Sequence, residues 1–196
     1  ELFISDHSTA SRSGIYNLHS RAWDASLLRI FQGEGLLLPA VVESAGVLGA
    51  LDFGDGYRLP LRGMILDQAS ALLGQGCTRP GELKITYGTC IGLWCNVGSK
   101  PHLTSHLDCS VAWQVGEAPV YASVGENDCG SSVLTWLRQK FHLPWRDEQL
   151  SAVAEAATGG EELVFVPALK GLDAPYACPQ ARGVIYGLDP NTGLEH

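Results

Sequence analysis

Leu66-Asp67-Gln68 is the first point in this sequence where residue type and setting together could do chemistry. Leu59, Leu61, Met64, Ile65 and Leu66 predict a buried strand over 58–66. Gln68 to Gly74, with Ala69, Ala71, Leu72 and Leu73, predicts a small-residue helix directly after it. In an open α/β sheet ligands bind at the carboxyl ends of strands, so a carboxylate at such a junction faces a cleft. A carboxylate there can take the proton of a hydroxyl as its oxygen attacks a phosphoryl group. Aspartate ahead of a helix is also a preferred N-cap, worth about 1 kcal/mol, and local sequence favours that structural reading. The two roles conflict, because a carboxylate that caps a helix is a weaker base.

Thr86-Tyr87-Gly88-Thr89 is a glycine turn flanked by threonines, which offers amides and hydroxyls to phosphate oxygens. Most such turns only join hairpin strands. Gly76-Cys77-Thr78-Arg79-Pro80-Gly81 has the glycine spacing of a Walker A loop, but Glu82 stands in the lysine position and Pro80 removes an amide, so it is a turn. His102, His106 and Cys109 would suit a metal only on a helix; Pro101, Thr104, Ser105 and Asp108 make this stretch a polar loop, and no metal is expected. Gly171 to Tyr176 forms a rigid turn-rich loop of the kind that either lines a cleft or connects elements at the surface. No Gly-x-Ser-x-Gly elbow is present, and no cysteine has a histidine setting that would make it a nucleophile.

The elements that must position these residues alternate. Asp24 is placed to cap a helix carrying Leu27, Leu28 and Phe31 and ended by Gly33 and Gly35. The segment 13–18 is short and either extended or helical. The segment 83–95, broken at Gly88 and Gly92, predicts two strands around a tight turn, and 111–115 and 120–124 predict two more. Helices follow over 131–143, with Val133, Leu134, Leu137 and Phe141 on one face, and over 147–157. A buried strand at 163–166, a loop over 167–181 and an apolar stretch at 183–188 complete an α/β chain, with a change of texture near 76–81.

Composition excludes several classes of function. A net charge of −8 argues against nucleic-acid binding, which rewards clustered basic surface. The longest apolar runs, such as 35–42, fall far short of the roughly 20 residues of a membrane span, and no signal peptide opens the chain. The six cysteines lack paired short spacings and read as reduced residues of a cytoplasmic protein. The absence of an initiator methionine, and a Leu194-Glu195-His196 ending like the start of a vector-encoded tag, suggest an internal piece of a longer protein.

Taken in order, the motifs resemble the FGGY carbohydrate kinases, glycerol kinases included. Ser5 to Arg12 is similar to their "TD-x-TNASRT" stretch, and Trp23-Asp24 follows at the family's distance. Gly63 to Gln75 resembles "G-x-x-x-DQQAALFGQ", Gly81 to Cys90 "G-x-x-K-x-TYGTG", and Gly125 to Arg138 the block ending in Trp-Leu-Arg. Phe165 to Gly183 resembles "VPAFTGLGAPYWDPYARG". The resemblance spans residues 4 to 189. It implies an actin-like ATPase (ribonuclease H-like) fold, with 1–76 the end of the first domain and 77–193 the start of the second.

By the same resemblance Asp67 is the catalytic base and Gln68 a substrate-binding neighbour. Gly88, Thr89, Gly130 and Ser131 would be nucleotide-binding, with Ser131 where relatives usually have glycine. The implied activity is ATP- and Mg²⁺-dependent phosphorylation of a sugar or polyol hydroxyl. The family's amino-terminal phosphate loop and carboxyl-terminal "DGG" segment lie outside this sequence, so the isolated chain is expected to be inactive, and edges of incomplete domains leave a homo-oligomer open. Cys90 replaces the second glycine of "GTG", Gly92 a phenylalanine, and Ala177-Cys178 a Trp-Asp pair, which leaves a larger polyol or sugar open. The alternative is a non-catalytic sugar- or nucleotide-sensing member of the same fold.

Overall fold

A computed structural model describes residues 2–196. It comprises two compact units, one from residues up to Lys84 together with Leu93–Val124, the other from Ile85–Gly92 together with Gly125–His196.

The first unit opens with β1 (Ile4–Asp6), the one-turn helix α1 (His7–Ala10), the short ladder of β2 (Tyr16–Asn17) with β3 (Ala22–Trp23), and α2 (Ala25–Ile30). Next comes β4 (Ala40–Val42), which pairs in parallel with β1. As the sequence predicts, Asp24 caps α2: its Oδ1 accepts from the amides of Ser26 and Leu27 at 2.8 and 3.1 Å. The Asn17 side chain and those two amides hold the Asp24 carboxyl below the usual carboxylate range.

The predicted buried strand at 58–66 is not what forms. β5 (Ala45–Asp52) and β6 (Arg58–Gly63) make an antiparallel hairpin, and β6 is largely exposed and ends at Gly63. Pro60 lies opposite Ala50 in this ladder. A proline cannot donate to a ladder and belongs on an edge rather than in a central strand. The tip, with Gly54 and Gly56 at φ of +85 and +78°, turns where glycine meets no Cβ penalty. Residues 64–66 then lead into α3 (Asp67–Gly74).

After α3 come β7 (Leu83–Tyr87), β8 (Ile91–Gly98), β9 (Asp108–Val115) and β10 (Ala118–Asn127), in sheet order β7-β8-β10-β9. β9 and β10 are antiparallel, with a bulge at Val120/Tyr121. Successive strand residues point to opposite faces, and both faces carry a core. Ala112, Ala122, Val124 and Trp94 pack with Ala69 and Leu72 of α3. Val111 and Tyr121 pack with Ala10 of α1 and with Tyr16. Leu72 is fully buried, which contributes about 1.5–3 kcal/mol. The sheet is thus the floor on which α3, and with it Asp67, is fixed.

The second unit contains α4 (Ser132–Lys140), α5 (Asp147–Ala156), β11 (Val164–Val166) and β12 (Val184–Tyr186), the last two antiparallel. Trp136 of α4 stacks on Phe165 of β11, ring centroids 6.4 Å apart. The sequence predicts a buried strand and an apolar helix face here. Instead Val164 and Val166 are 51% and 40% exposed, and of α4 only Val133 is buried. A two-stranded ladder lacks the cover that would bury both of its faces.

Candidate active site

Asp67 does not cap α3. The cap position belongs to Leu66, in extended conformation (φ −58°, ψ 142°), without a side-chain bond to the helix. Asp67 is the first helical residue and is exposed; its Oδ1 accepts only from the adjacent Gln68 amide, at 2.7 Å. That leaves Oδ2 without a hydrogen bond among the described residues. The helix start is where an aspartate is expected electrostatically, since the N-terminus carries partial positive charge. The local reading of Asp67 as a cap is therefore corrected: the extended backbone three residues past the ladder shifts the helix start by one position.

What fixes that start is a buried polar network which sequence periodicity does not reveal. Asp6, fully buried, accepts from the Ser8 amide and hydroxyl at 3.0 and 2.6 Å, the Thr9 amide at 3.0 Å and the Ser44 hydroxyl at 2.8 Å. The Ser8 hydroxyl in turn accepts from the Leu66 amide at 2.8 Å. A buried carboxylate is tolerated when its lone pairs are filled in this way. The Asp6-His7-Ser8-Thr9 sequence carries the available signal, an aspartate followed at the cap spacing by hydroxyl residues.

Gln68 is half-buried, and the Lys84 ammonium donates to its Oε1. Lys84 is buried, 2% exposed, with its Nζ 6.0 Å from the centroid of the Trp94 ring. Burial pushes the Lys84 pKa down, opposed by the negative charge of Asp67 and then by Cys77. The acid, the amide and the ammonium thus form one cluster at the head of α3.

The other predicted residues also come together. The Gly130 amide donates to Thr89 O at 3.1 Å, the Ser131 amide to Gly88 O at 2.8 Å and the Ser132 hydroxyl to Thr89 O at 3.1 Å. A Cβ on Gly130 would lie 2.5 Å from Gly88 O and 2.7 Å from Thr89 O. Gly130, rather than the neighbouring Ser131, is therefore the position where the turn requires glycine. Cys90 Sγ points toward Asp128 Oδ1 at 3.7 Å, and Thr89 is exposed. The loop after β11 closes on the same segment: the Asp128 amide donates to Asp173 Oδ2 at 2.9 Å, and Lys170 pairs with Asp128 at 3.6 Å.

Glu82, where a Walker A loop would need lysine, holds the Arg79 amide and guanidinium at 2.8 Å each, which closes a turn. His102 and His106 lie in an irregular loop. Among the described residues no group of three or more His, Cys, Asp or Glu side chains could hold a metal ion.

Comparison with known proteins identifies the family. Residues 1–74 match the family model described as "FGGY family of carbohydrate kinases, N-terminal domain", and residues 83–196 the corresponding C-terminal domain. A glycerol kinase of Aromatoleum aromaticum is 37% identical over all of this chain, and one of Coxiella burnetii (strain RSA 493 / Nine Mile phase I) 34% identical over 97% of it. The chain spans 40% and 38% of those two proteins. Among solved structures, Plasmodium falciparum glycerol kinase with ADP superposes with a TM-score of 0.83 at 30% identity, over 96% of this chain and 38% of that one. A xylulose kinase from Brucella ovis, at 22% identity, shares the fold with a TM-score of 0.79 over 98% of this chain and 40% of its own. With both of its halves matched in the family's order, this chain belongs to the FGGY family of carbohydrate kinases.

Proposed function

We propose that the protein of which this chain is part transfers the γ-phosphoryl group of ATP to a hydroxyl of a sugar or polyol, with Asp67 as general base. The observation that carries this reading is the state of Asp67: an exposed carboxylate at the head of α3, not consumed as a cap, with one oxygen unbonded. Asp67 accepts the hydroxyl proton as the substrate oxygen attacks, and such a base contributes roughly 10²–10⁴-fold. Gln68 orients the substrate beside it. The turn at Gly88 and Thr89, supported from behind by Gly130 and Ser131, offers the exposed Thr89 hydroxyl and amide to phosphate oxygens, while the Gly88 amide closes the turn on Cys90 O at 3.0 Å. Mg²⁺, which binds through phosphates and water with few protein ligands, would neutralise developing charge on the transferred group.

We further assign residues 1–76 to the end of the first domain of that kinase and 77–193 to the start of the second, and place the protein in the cytoplasm. The six cysteines, all free in the fold, suit a reducing compartment. Gly92 in place of a phenylalanine and Ala177-Cys178 in place of a Trp-Asp pair leave a polyol or sugar larger than glycerol open.

The test is phosphorylation of a panel of three- to six-carbon polyols and sugars by the full-length protein with ATP and Mg²⁺. Turnover of at least one of them is expected. Nucleotide binding by calorimetry without turnover of any member would instead favour a sensor.

A further inference from the structure

Lys84 has an environment that its place in the sequence does not explain. In Leu83-Lys84-Ile85 the alternation of a strand would send lysine to solvent and the two apolar residues inward. The reverse is found: Lys84 is 2% exposed, while Leu83 and Ile85 are 51% and 40% exposed. Burying an ammonium is costly unless it is bonded, and a hydrophobic side chain of similar size often serves stability as well or better. Part of that cost is met at the head of α3. Lys84 Nζ donates to Gln68 Oε1, and the negative charge of Asp67 opposes the effect of its burial. On its other side lies the face of Trp94.

A glutamine side chain has one accepting end and one donating end. An ammonium has three donors and no acceptor, so it can hold only the oxygen of that amide. Turning the amide over would set Nε2 against the buried Nζ, donor against donor.

We propose that Lys84 is a positioning residue for the phosphoryl acceptor: by holding Gln68 Oε1 it fixes the side-chain amide so that Gln68 meets the substrate only as a hydrogen-bond donor, through Nε2. The substrate class that follows carries an oxygen acceptor, a hydroxyl lone pair or ring oxygen, next to the hydroxyl that Asp67 deprotonates. This inference rests on the kinase reading of Asp67 and Gln68.

The test uses the full-length protein with whichever sugar or polyol it phosphorylates. Lys84→Met keeps the stem and removes the donor. It is expected to raise the KM for the sugar by about tenfold, the equivalent of one oriented hydrogen bond, and to leave the KM for ATP within twofold. Because Lys84 acts through Gln68, the double variant Lys84→Met/Gln68→Ala is expected to be no worse than Gln68→Ala alone. Losses that multiply in the double variant, or a fall in kcat with an unchanged sugar KM, would overturn the proposal. Folding and activity failures are separated by a second measurement, the NMR signal of the Lys84 ammonium in the otherwise native full-length protein. Protection of that signal from exchange with water, lost in Gln68→Ala, supports the pairing even where no substrate is turned over. A signal that is unprotected, or that Gln68→Ala leaves unchanged, refutes it.

Discussion

Replacing Gly130 by alanine is the smallest change that probes how the Thr89 turn is held. The added Cβ would sit 2.5 Å from Gly88 O, 2.7 Å from Thr89 O and 2.8 Å from the Cys90 carbonyl carbon, where ordinary contact begins at 3.4 Å. All three are backbone atoms, so relief cannot come from a rotamer. The turn and the start of α4 must separate by close to an ångström. Two bonds span that same gap, from the Gly130 amide to Thr89 O at 3.1 Å and from the Ser131 amide to Gly88 O at 2.8 Å. Overpacking of this kind costs about 1–3 kcal/mol, and each weakened bond adds about 0.5–1.5 kcal/mol. A loss of about 2–6 kcal/mol, confined to the second unit, is therefore expected. Hydrogen exchange in the full-length protein should show faster exchange at 88–90 and 130–132, with α3 unchanged. A turn displaced by about 1 Å also costs on the order of 10²-fold in rate where it positions a reacting group. Native-like exchange at the turn together with an unchanged KM for ATP would refute the reasoning.

Ser8→Ala removes both a donor to Asp6 and the acceptor of the Leu66 amide. Leaving these buried groups short is expected to cost about 2–4 kcal/mol, read as a lower urea midpoint, with Ser8→Thr closer to the parent. Acid should weaken the first unit through His7. Its pKa is lowered, first by burial and then by Arg21, although Asp6 and Glu43 pull the other way. The unfolded chain therefore binds a proton on His7 more readily than the folded one. Stability attributable to His7 is intact above its ordinary value of 6.5 and falls as pH drops below it. His7→Gln should flatten thermal-midpoint curves between pH 7 and 5, and an unchanged slope would remove His7 as the cause.

Much of this fold is readable from local pattern because the responsible contacts are themselves local. Asp24 and its cap, the small-residue helix after Asp67, and the two strands around Gly88 each depend on neighbours a few residues away. The misread elements are those whose partners are distant in sequence. Residues 58–63 read as a core strand from their leucines, but their partner is the exposed hairpin strand at 45–52. Asp6, His7 and Ser8 carry no hydrophobic period and are buried by contacts to Ser44, Tyr16 and Leu66. Lys84 inverts the strand alternation and bonds Gln68, in a helix read from a different motif. Within the candidate site, residue type and order point to Asp67. Only geometry separates a carboxylate that caps a helix from one that stands free at its head.

The most direct test of that distinction is Asp67→Asn in the full-length protein, measured as the single-turnover rate of phosphoryl transfer alongside thermal stability. An exposed group that caps nothing loses only its attraction to the helix start and to Lys84 when exchanged for its isosteric amide, about 1–2 kcal/mol of stability. As the base, its loss should lower the rate roughly 10²–10⁴-fold with substrate binding largely kept. A near-native rate in that variant would contradict the assignment of Asp67.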